Sequence, residues 1–357
     1  MKETLTAAAG AGTAADDPFD EVSIALPAAC GCAELAVAID VGGSAIKVVT
    51  SEGSAFRAPA ERLDALLRHV AAHGPALVAT TGGGALRHER AIAAALGGGD
   101  GAVVTRVDEM AAVGAGVRAL DAAAGGLVDE AGAPAARRAG RVVVVSIGTG
   151  TSVLVLEPAP CARAGRAPAP RRVAGTCFGA GTFVGLVAAV CGDDALGGGG
   201  GGGARAHGAA RALAARGANP AAVDATVGDI YGARTAELGL PPDLLAASFA
   251  KAPALALGAR RGPDAAASLA TLAAWTIGQL GAWVARAERA ERVVFVGGLV
   301  DALFIPKLAF PVGFETGGAA GAAFPEGGAA PYVGAIGALA RALAERPSAR
   351  ARETCCF

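Results

Sequence analysis

The sequence predicts an α/β fold made of two similar lobes with a cleft between them, and three observations carry that prediction. Short apolar runs alternate with stretches whose apolar residues recur at helical spacing, as in Leu63, Leu66, Leu67 and Val70. Two hairpins built on glycine and hydroxyl residues, Leu35–Ser51 and Arg141–Glu157, lie about a hundred residues apart. A further strand, Val293–Val296, runs into Gly297-Gly298, where a ligand can meet backbone. One glycine hairpin is a weak signal. Two on similar scaffolds suggest an internal duplication that holds a nucleotide between its halves.

In the first hairpin the turn Gly42-Gly43 is bracketed by Asp40 and Lys47. Glycines let backbone N–H groups approach an anion closely. Ser44 adds a hydroxyl, Lys47 a positive charge, and Asp40 a carboxylate suited to Mg²⁺. Read alone, the stretch is either a phosphate-binding hairpin or an ordinary turn with solvated polar residues. The second hairpin repeats the design, with strands Val142–Ser146 and Val153–Leu156 around Gly148-Thr149-Gly150-Thr151-Ser152.

The remaining elements follow in order. Residues 1–33 are Ala-rich and acidic and read as a disordered arm. A helix over 61–73 leads to a strand over 76–80 and the turn Thr81-Gly82-Gly83-Gly84. A helix over 85–96 and a strand over 103–107 come next. Asp108 is a good N-cap for a helix to about Leu120. Glu109 in its first turn is either a routine helix-start acid or a general base presented to the cleft. Residues 121–139 read as a surface insertion, 158–170 as a connector and 197–203 as a flexible polyglycine linker. Helices are expected over 180–190, 204–216, 220–227, 242–251, 263–289 and 333–344. The expected units are an arm (1–33), an N-terminal lobe (34–139), a C-terminal lobe (140–346) and a tail (347–357).

Composition bounds the function classes. Hydrophobic residues make up 53% and aromatics only 4%, so the core must be mostly Val, Leu and Ala. The net charge of -1, with no basic block, argues against a nucleic-acid partner. Seven scattered cysteines form no CxxC pair, and four histidines no zinc motif, which suggests a reduced, intracellular protein. Val173–Gly192 carries no charge, but its five glycines fit a loop entering a buried helix better than a membrane span. The acidic N-terminal stretch is unlike a transit peptide, so a cytoplasmic location is expected.

None of the four lysines follows a glycine, which excludes a P-loop. Gly179-Ala180-Gly181 is followed by Gly185, one position too far for a dinucleotide fingerprint, and there is no G-x-S-x-G elbow. Several segments instead resemble one family, the eukaryotic-type (type II) pantothenate kinases. They are Ile39–Lys47, Ala79–Ala85, Val107–Met110, Ile147–Ser152, Arg172–Phe183, Gly228–Gly232, Gly239–Pro241, Ala247–Phe249, Arg292–Gly298 and Tyr332–Ala338. They run in family order from about 35 to 343.

The resemblance implies a duplicated ribonuclease H-like two-lobe kinase fold, of the superfamily that holds acetate kinase, sugar kinases, the large heat-shock chaperones and actin. It implies ATP- and Mg²⁺-dependent phosphorylation of pantothenate, the first step toward coenzyme A. In that reading Glu109 is the base that deprotonates the primary hydroxyl, and Arg172 orients substrate and stabilises transition-state charge. Thr149 and Ser152 line the substrate and γ-phosphate site. Asp40, Gly42, Gly43, Ser44 and Lys47, with Gly148 and Gly150, form the phosphate end, with Mg²⁺ at Asp40 through water. Gly297 and Gly298 belong to the nucleotide side. Family habit and the long helix suggest a homodimer. Thr149 and Cys177 stand where animal enzymes carry serine. Phe314-Glu315 replaces an aromatic pair that bounds the acyl-CoA pocket, which puts acyl-CoA feedback in doubt. Two alternatives remain: another small-molecule kinase of the superfamily, of the amino-sugar type, and an ATP-binding pseudokinase.

Overall fold

The computed structural model describes residues 20–23, 34–97, 102–137, 139–158, 168–197, 203–218, 220–256 and 262–345. The first sheet contains β1 (Asp20–Ser23), β2 (Ala36–Val41), β3 (Ala45–Thr50), β4 (Ser54–Pro59), β5 (Leu77–Thr81) and β6 (Val103–Arg106). Around it lie α1 (Leu63–Ala72), α2 (Gly83–Arg87), α3 (Glu89–Leu96) and α4 (Glu109–Ala122). The second sheet contains β7 (Leu127–Val128), β8 (Val142–Ile147), β9 (Thr151–Leu156), β10 (Arg171–Thr176), β13 (Arg292–Gly297) and β14 (Gly321–Pro325). Between β10 and β13 come α5 (Ala180–Cys191), α6 (Gly203–Ala215), the small ribbon of β11 (Ala225–Thr226) and β12 (Leu245–Ala247), the short α7 (Val227–Tyr231) and α8 (Thr235–Leu238), and α9 (Pro263–Glu288). The chain closes with α10 (Ile305–Thr316) and α11 (Val333–Glu345).

The duplication is explicit in the strand order. Without the edge strands β1 and β7, the sheets read β4-β3-β2-β5-β6 and β10-β9-β8-β13-β14. In each, three antiparallel strands are followed by two parallel ones. That is the ribonuclease H-like arrangement used twice, so the fold is the duplicated α/β one expected.

Both faces of both sheets are covered, which is why the central strands are almost continuously apolar. Side chains alternate along a strand. Val37, Ile39 and Val41 of β2 pack with Leu66 and Ile92, while Ala36 and Ala38 turn to the other face. In β8, Val143, Val145 and Ile147 face α5, α6 and α9, while Val142 and Val144 turn away. The turned-away residues of both sheets meet α4 and α11 in one shared core. These two helices cross closely at glycines. A Cβ on Gly337 would strike the Ala112 carbonyl, and one on Gly116 the Val333 carbonyl. The division at residues 139 and 140 remains a proposal; α11, late in the chain, packs against β2, β3 and β5 of the first sheet.

Several local expectations are revised. The helix expected over 85–96 is two, broken at His88, because Gly84 lies hard against Val41 and the chain must re-aim to bury Ile92 and Leu96. The helices expected over 220–227 and 242–251 give way to β11, α7 and β12. Here the buried Asp224 carboxylate accepts from the Phe249 N–H at 2.9 Å and from the Ser268 hydroxyl, tying the segment to α9. Phe249 takes φ 60°, which no helix allows. Thr226 and Asp229 form a capping box that starts α7. The stretch read as an insertion supplies the edge strand β7, and Asp20–Ser23 of the expected arm pair with β4. The other residues of 1–33, most of the connector, the polyglycine run and the tail lie outside the described residues.

Candidate active site

Every residue expected at the site lines one cleft of about 480 Å³. The first hairpin builds its floor. Gly42 N–H bonds the Ala45 carbonyl at 3.1 Å, and the register makes Asp40 and Lys47 direct partners. Direct partners project from the same face, so the two meet, Lys47 Nζ to Asp40 Oδ2 at 3.7 Å. Register extends the row. Thr81 stands beside Asp40 on β5, and Arg57 beside Lys47 on β4. Turn and carboxylate are tightly enclosed. A Cβ on Gly82, at φ 86°, would lie 2.5 Å from Asp40 Oδ1, and one on Gly334 in the first turn of α11 3.1 Å from Oδ2.

The second hairpin closes the cleft from the other lobe. Gly148 N–H bonds the Gly150 carbonyl at 2.8 Å, and the Gly148 and Thr149 carbonyls accept from Ala180 and Gly181 at the start of α5. A Cβ on Gly179 would lie 2.6 Å from the Thr149 carbonyl, so only glycine lets α5 approach the hairpin tip. The two tips face each other: a Cβ on Gly43 would lie 3.7 Å from Thr149 Oγ1. Gly297, at φ 113°, ends β13 beside Ile147, and Gly298 continues the third wall.

Glu109 opens α4, with Asp108 as the N-cap accepting from Ala111 N–H at 2.9 Å. The Glu109 carboxyl is open to the cleft, yet protein crowds it. Lost hydration holds its pKa above the ordinary 4.5, Asp40 and Asp108 add to this, and Lys47 and the Gly83 N–H oppose it. Burial likewise pushes Asp40 above its ordinary 3.8, against Lys47. Arg172 Nε reaches Ser152 Oγ at 3.4 Å, from a strand whose register slips between Arg172 and Ala174. Such a bulge re-aims a side chain.

The donor set suits Mg²⁺ better than a softer ion. Asp40 offers one carboxylate, and the buried Thr81 hydroxyl has no hydrogen-bond partner. Among the described residues no group of three His, Cys, Asp or Glu side chains could hold a metal by itself. An ion that keeps waters and shares substrate phosphates fits this. The reading of the sequence missed Thr81, Arg57 and His207 as cleft residues. Thr81 carried a signal, a hydroxyl at a strand end before glycines; the other two carried none, because strand register and helix placement bring them in.

Over 130 residues the chain is 33% identical to pantothenate kinase 1 of Oryza sativa subsp. japonica, a match covering 36% of this chain and 18% of that protein. A ROK family glucokinase from Streptomyces griseus superposes with a TM-score of 0.49 at 14% identity, over 87% of this chain and 99% of that one. The activator of 2-hydroxyisocaproyl-CoA dehydratase from Clostridium difficile gives 0.46 at 15%, over 90% and 96%. The Fumble family model matches residues 55–341, a span that takes in Glu109, the second hairpin, Arg172 and Gly297-Gly298. The chain therefore belongs to the Fumble family, the type II pantothenate kinases.

Proposed function

We propose that this chain transfers the γ-phosphoryl group of ATP to the primary hydroxyl of pantothenate, giving 4'-phosphopantothenate. The supporting observation is that Glu109 and Arg172 share one cleft with both glycine hairpins, in a chain of this family. Glu109 takes the hydroxyl proton as that oxygen bonds to the γ-phosphorus and the bond to the β,γ-bridging oxygen breaks, releasing ADP. Lys47 and the N–H groups of the two turns hold the polyphosphate, the positioning and charge stabilisation on which phosphoryl transfer depends. Arg172, steadied by Ser152, orients pantothenate and meets charge on the transferring group, and Thr149 lines the same end. Asp40 would hold Mg²⁺ through water; bound there, the ion neutralises phosphate charge.

The test is ADP release by the purified chain with Mg-ATP and either pantothenate or N-acetylglucosamine. Turnover with pantothenate alone is expected. Turnover with the amino sugar alone supports the sugar-kinase alternative, and ATP binding without transfer to either supports a pseudokinase.

The raised Glu109 pKa sets a pH dependence. The base acts ionised, so kcat/KM is full above its folded-state pKa and falls as pH drops through it. The acid limb of the pH profile is therefore expected above pH 4.5. An acid limb at or below the ordinary glutamate value would remove Glu109 as the titrating base.

We also infer a homodimer through the face of α9 and α10. Trp283, Phe310 and Phe314 are 52%, 42% and 49% exposed there, and Trp275, Phe310 and Phe314 stack in sequence. Glu315 accepts from Gln279 Nε2 and Trp283 Nε1 on this face, at 3.1 and 3.2 Å. A carboxylate so held is poorly suited to an apolar acyl group. Acetyl-CoA is expected to inhibit weakly, and Glu315→Trp more strongly than the parent, measured as inhibition at fixed ATP.

A further inference from the structure

Two cleft residues, Arg57 on β4 and His207 on α6, have no part in the transfer chemistry. Register places Asp40, Lys47 and Arg57 side by side on β2, β3 and β4, on one face. Asp40 answers the charge of Lys47 at 3.7 Å. Arg57 is then a second cation directly opposite the first, an unfavourable arrangement unless an anion joins them. Its Nε is buried without a hydrogen-bond partner, and no ion pair to a described carboxylate answers its charge. Its register partner on β1 is Asp20.

Helix α6 brings the second group. Its first residue, Gly203, lies against the first hairpin, where a Cβ would sit 3.3 Å from Ser44 Cβ. His207 and Arg211 follow at intervals of four, on the same helix face. The stripe therefore runs from the first hairpin to the nucleotide-side turn, where Arg211 donates to the Gly298 carbonyl at 3.5 Å. Arg211 is ion-paired with Asp301. The charges acting on the His207 imidazole are those of Arg57 and Arg211; burial first, then these two, lower its pKa from the ordinary 6.5. The elements packed against α6 carry Cys191 at the end of α5, Asp264 in the first turn of α9 and Asp194 on the 3₁₀ turn before α6, and Lys47 and Asp40 share the cleft.

We propose that Arg57 and His207 form an anion-binding wall of this cleft for the nucleotide polyphosphate, Arg57 as a fixed charge and His207 as a group that takes up a proton when the anion arrives. This rests on the reading of the cleft as a nucleotide site. An anion beside the imidazole offsets the two guanidiniums, so protonation accompanies binding, and affinity rises as pH falls.

The test is calorimetric binding of Mg²⁺ and the β,γ-imido analogue of ATP, from about pH 6 to about pH 8, the range in which histidine titrates, in buffers of different ionisation enthalpy. The wild-type chain is expected to take up protons on binding. Its affinity is expected to gain roughly tenfold more across the range than that of His207→Gln, the equivalent of one unit of pKa. The analogue's own titration is common to both proteins and cancels. Arg57→Gln is expected to weaken binding about tenfold at the alkaline end of the range, where the imidazole is neutral, the loss of one charge-assisted contact, and His207→Phe serves as the second variant should His207→Gln melt early by circular dichroism. No binding by the wild-type chain overturns both this wall and the nucleotide reading. Binding that the folded variants reproduce, with no proton uptake, overturns the wall alone.

Discussion

Glu109→Gln is expected to lower pantothenate-dependent ADP release at least about 100-fold, the scale of general-base loss, with ATP affinity little changed. Glutamine keeps the size of the side chain and removes its charge and its ability to accept a proton, and with Lys47 left in place to hold the phosphates the deficit is expected in kcat more than in KM for ATP. The α4 N-terminus supports this separation. Asp108, not Glu109, caps the helix, so the substitution leaves the cap intact. Equal turnover by wild type and variant at neutral pH would falsify the assignment of the base. A loss matched by an early thermal transition would instead indicate damage to α4.

The second large effect is structural. Gly337→Val is expected to destabilise the protein by about 3 kcal/mol, the upper range for overpacking, read as a lower denaturant midpoint at unchanged slope. Two effects compete at this site. Valine gains helix propensity over glycine, by less than the roughly 1 kcal/mol that separates glycine from alanine. Against that, a Cβ on Gly337 would strike the Ala112 carbonyl and the Gly116 nitrogen, which are backbone atoms of α4 and cannot swing aside. The clash wins, and its consequence reaches the site, because α4 carries Glu109 and α11 places Gly334 against Asp40. Spreading the helices is therefore expected to reduce turnover even where the variant is folded. A stability equal to or above wild type would show that the crossing is looser than this geometry.

Much of the site was legible because local chemistry marks it. The bracketing of Gly42-Gly43 by Asp40 and Lys47 is a sequence pattern, and hairpin register turns it directly into a contact. Asp108 as N-cap is equally local. The segments near 220–251 were misread because alanine and leucine favour helices there, while the buried Asp224 and the positive φ of Phe249 are tertiary facts. Helix α10 was missed since Pro306 and Pro311 argue against it; Gly278 on α9 makes room, with a Cβ there 3.1 Å from Pro311 Cγ.

By itself the sequence determined the two hairpins and the strand-then-glycine wall, because each depends on neighbours within a few residues, whereas Glu109 and Arg172 were singled out by the resemblance to a family. Only the tertiary structure decided that the hairpin tips face each other, that α4 and α11 share one core between the sheets, and that Arg57 and His207 meet in the cleft. Those placements depend on pairing between distant strands and on backbone approach at Gly116, Gly203 and Gly337. A glycine states in sequence only that space is needed, and the partner that fills it is set by the folded chain.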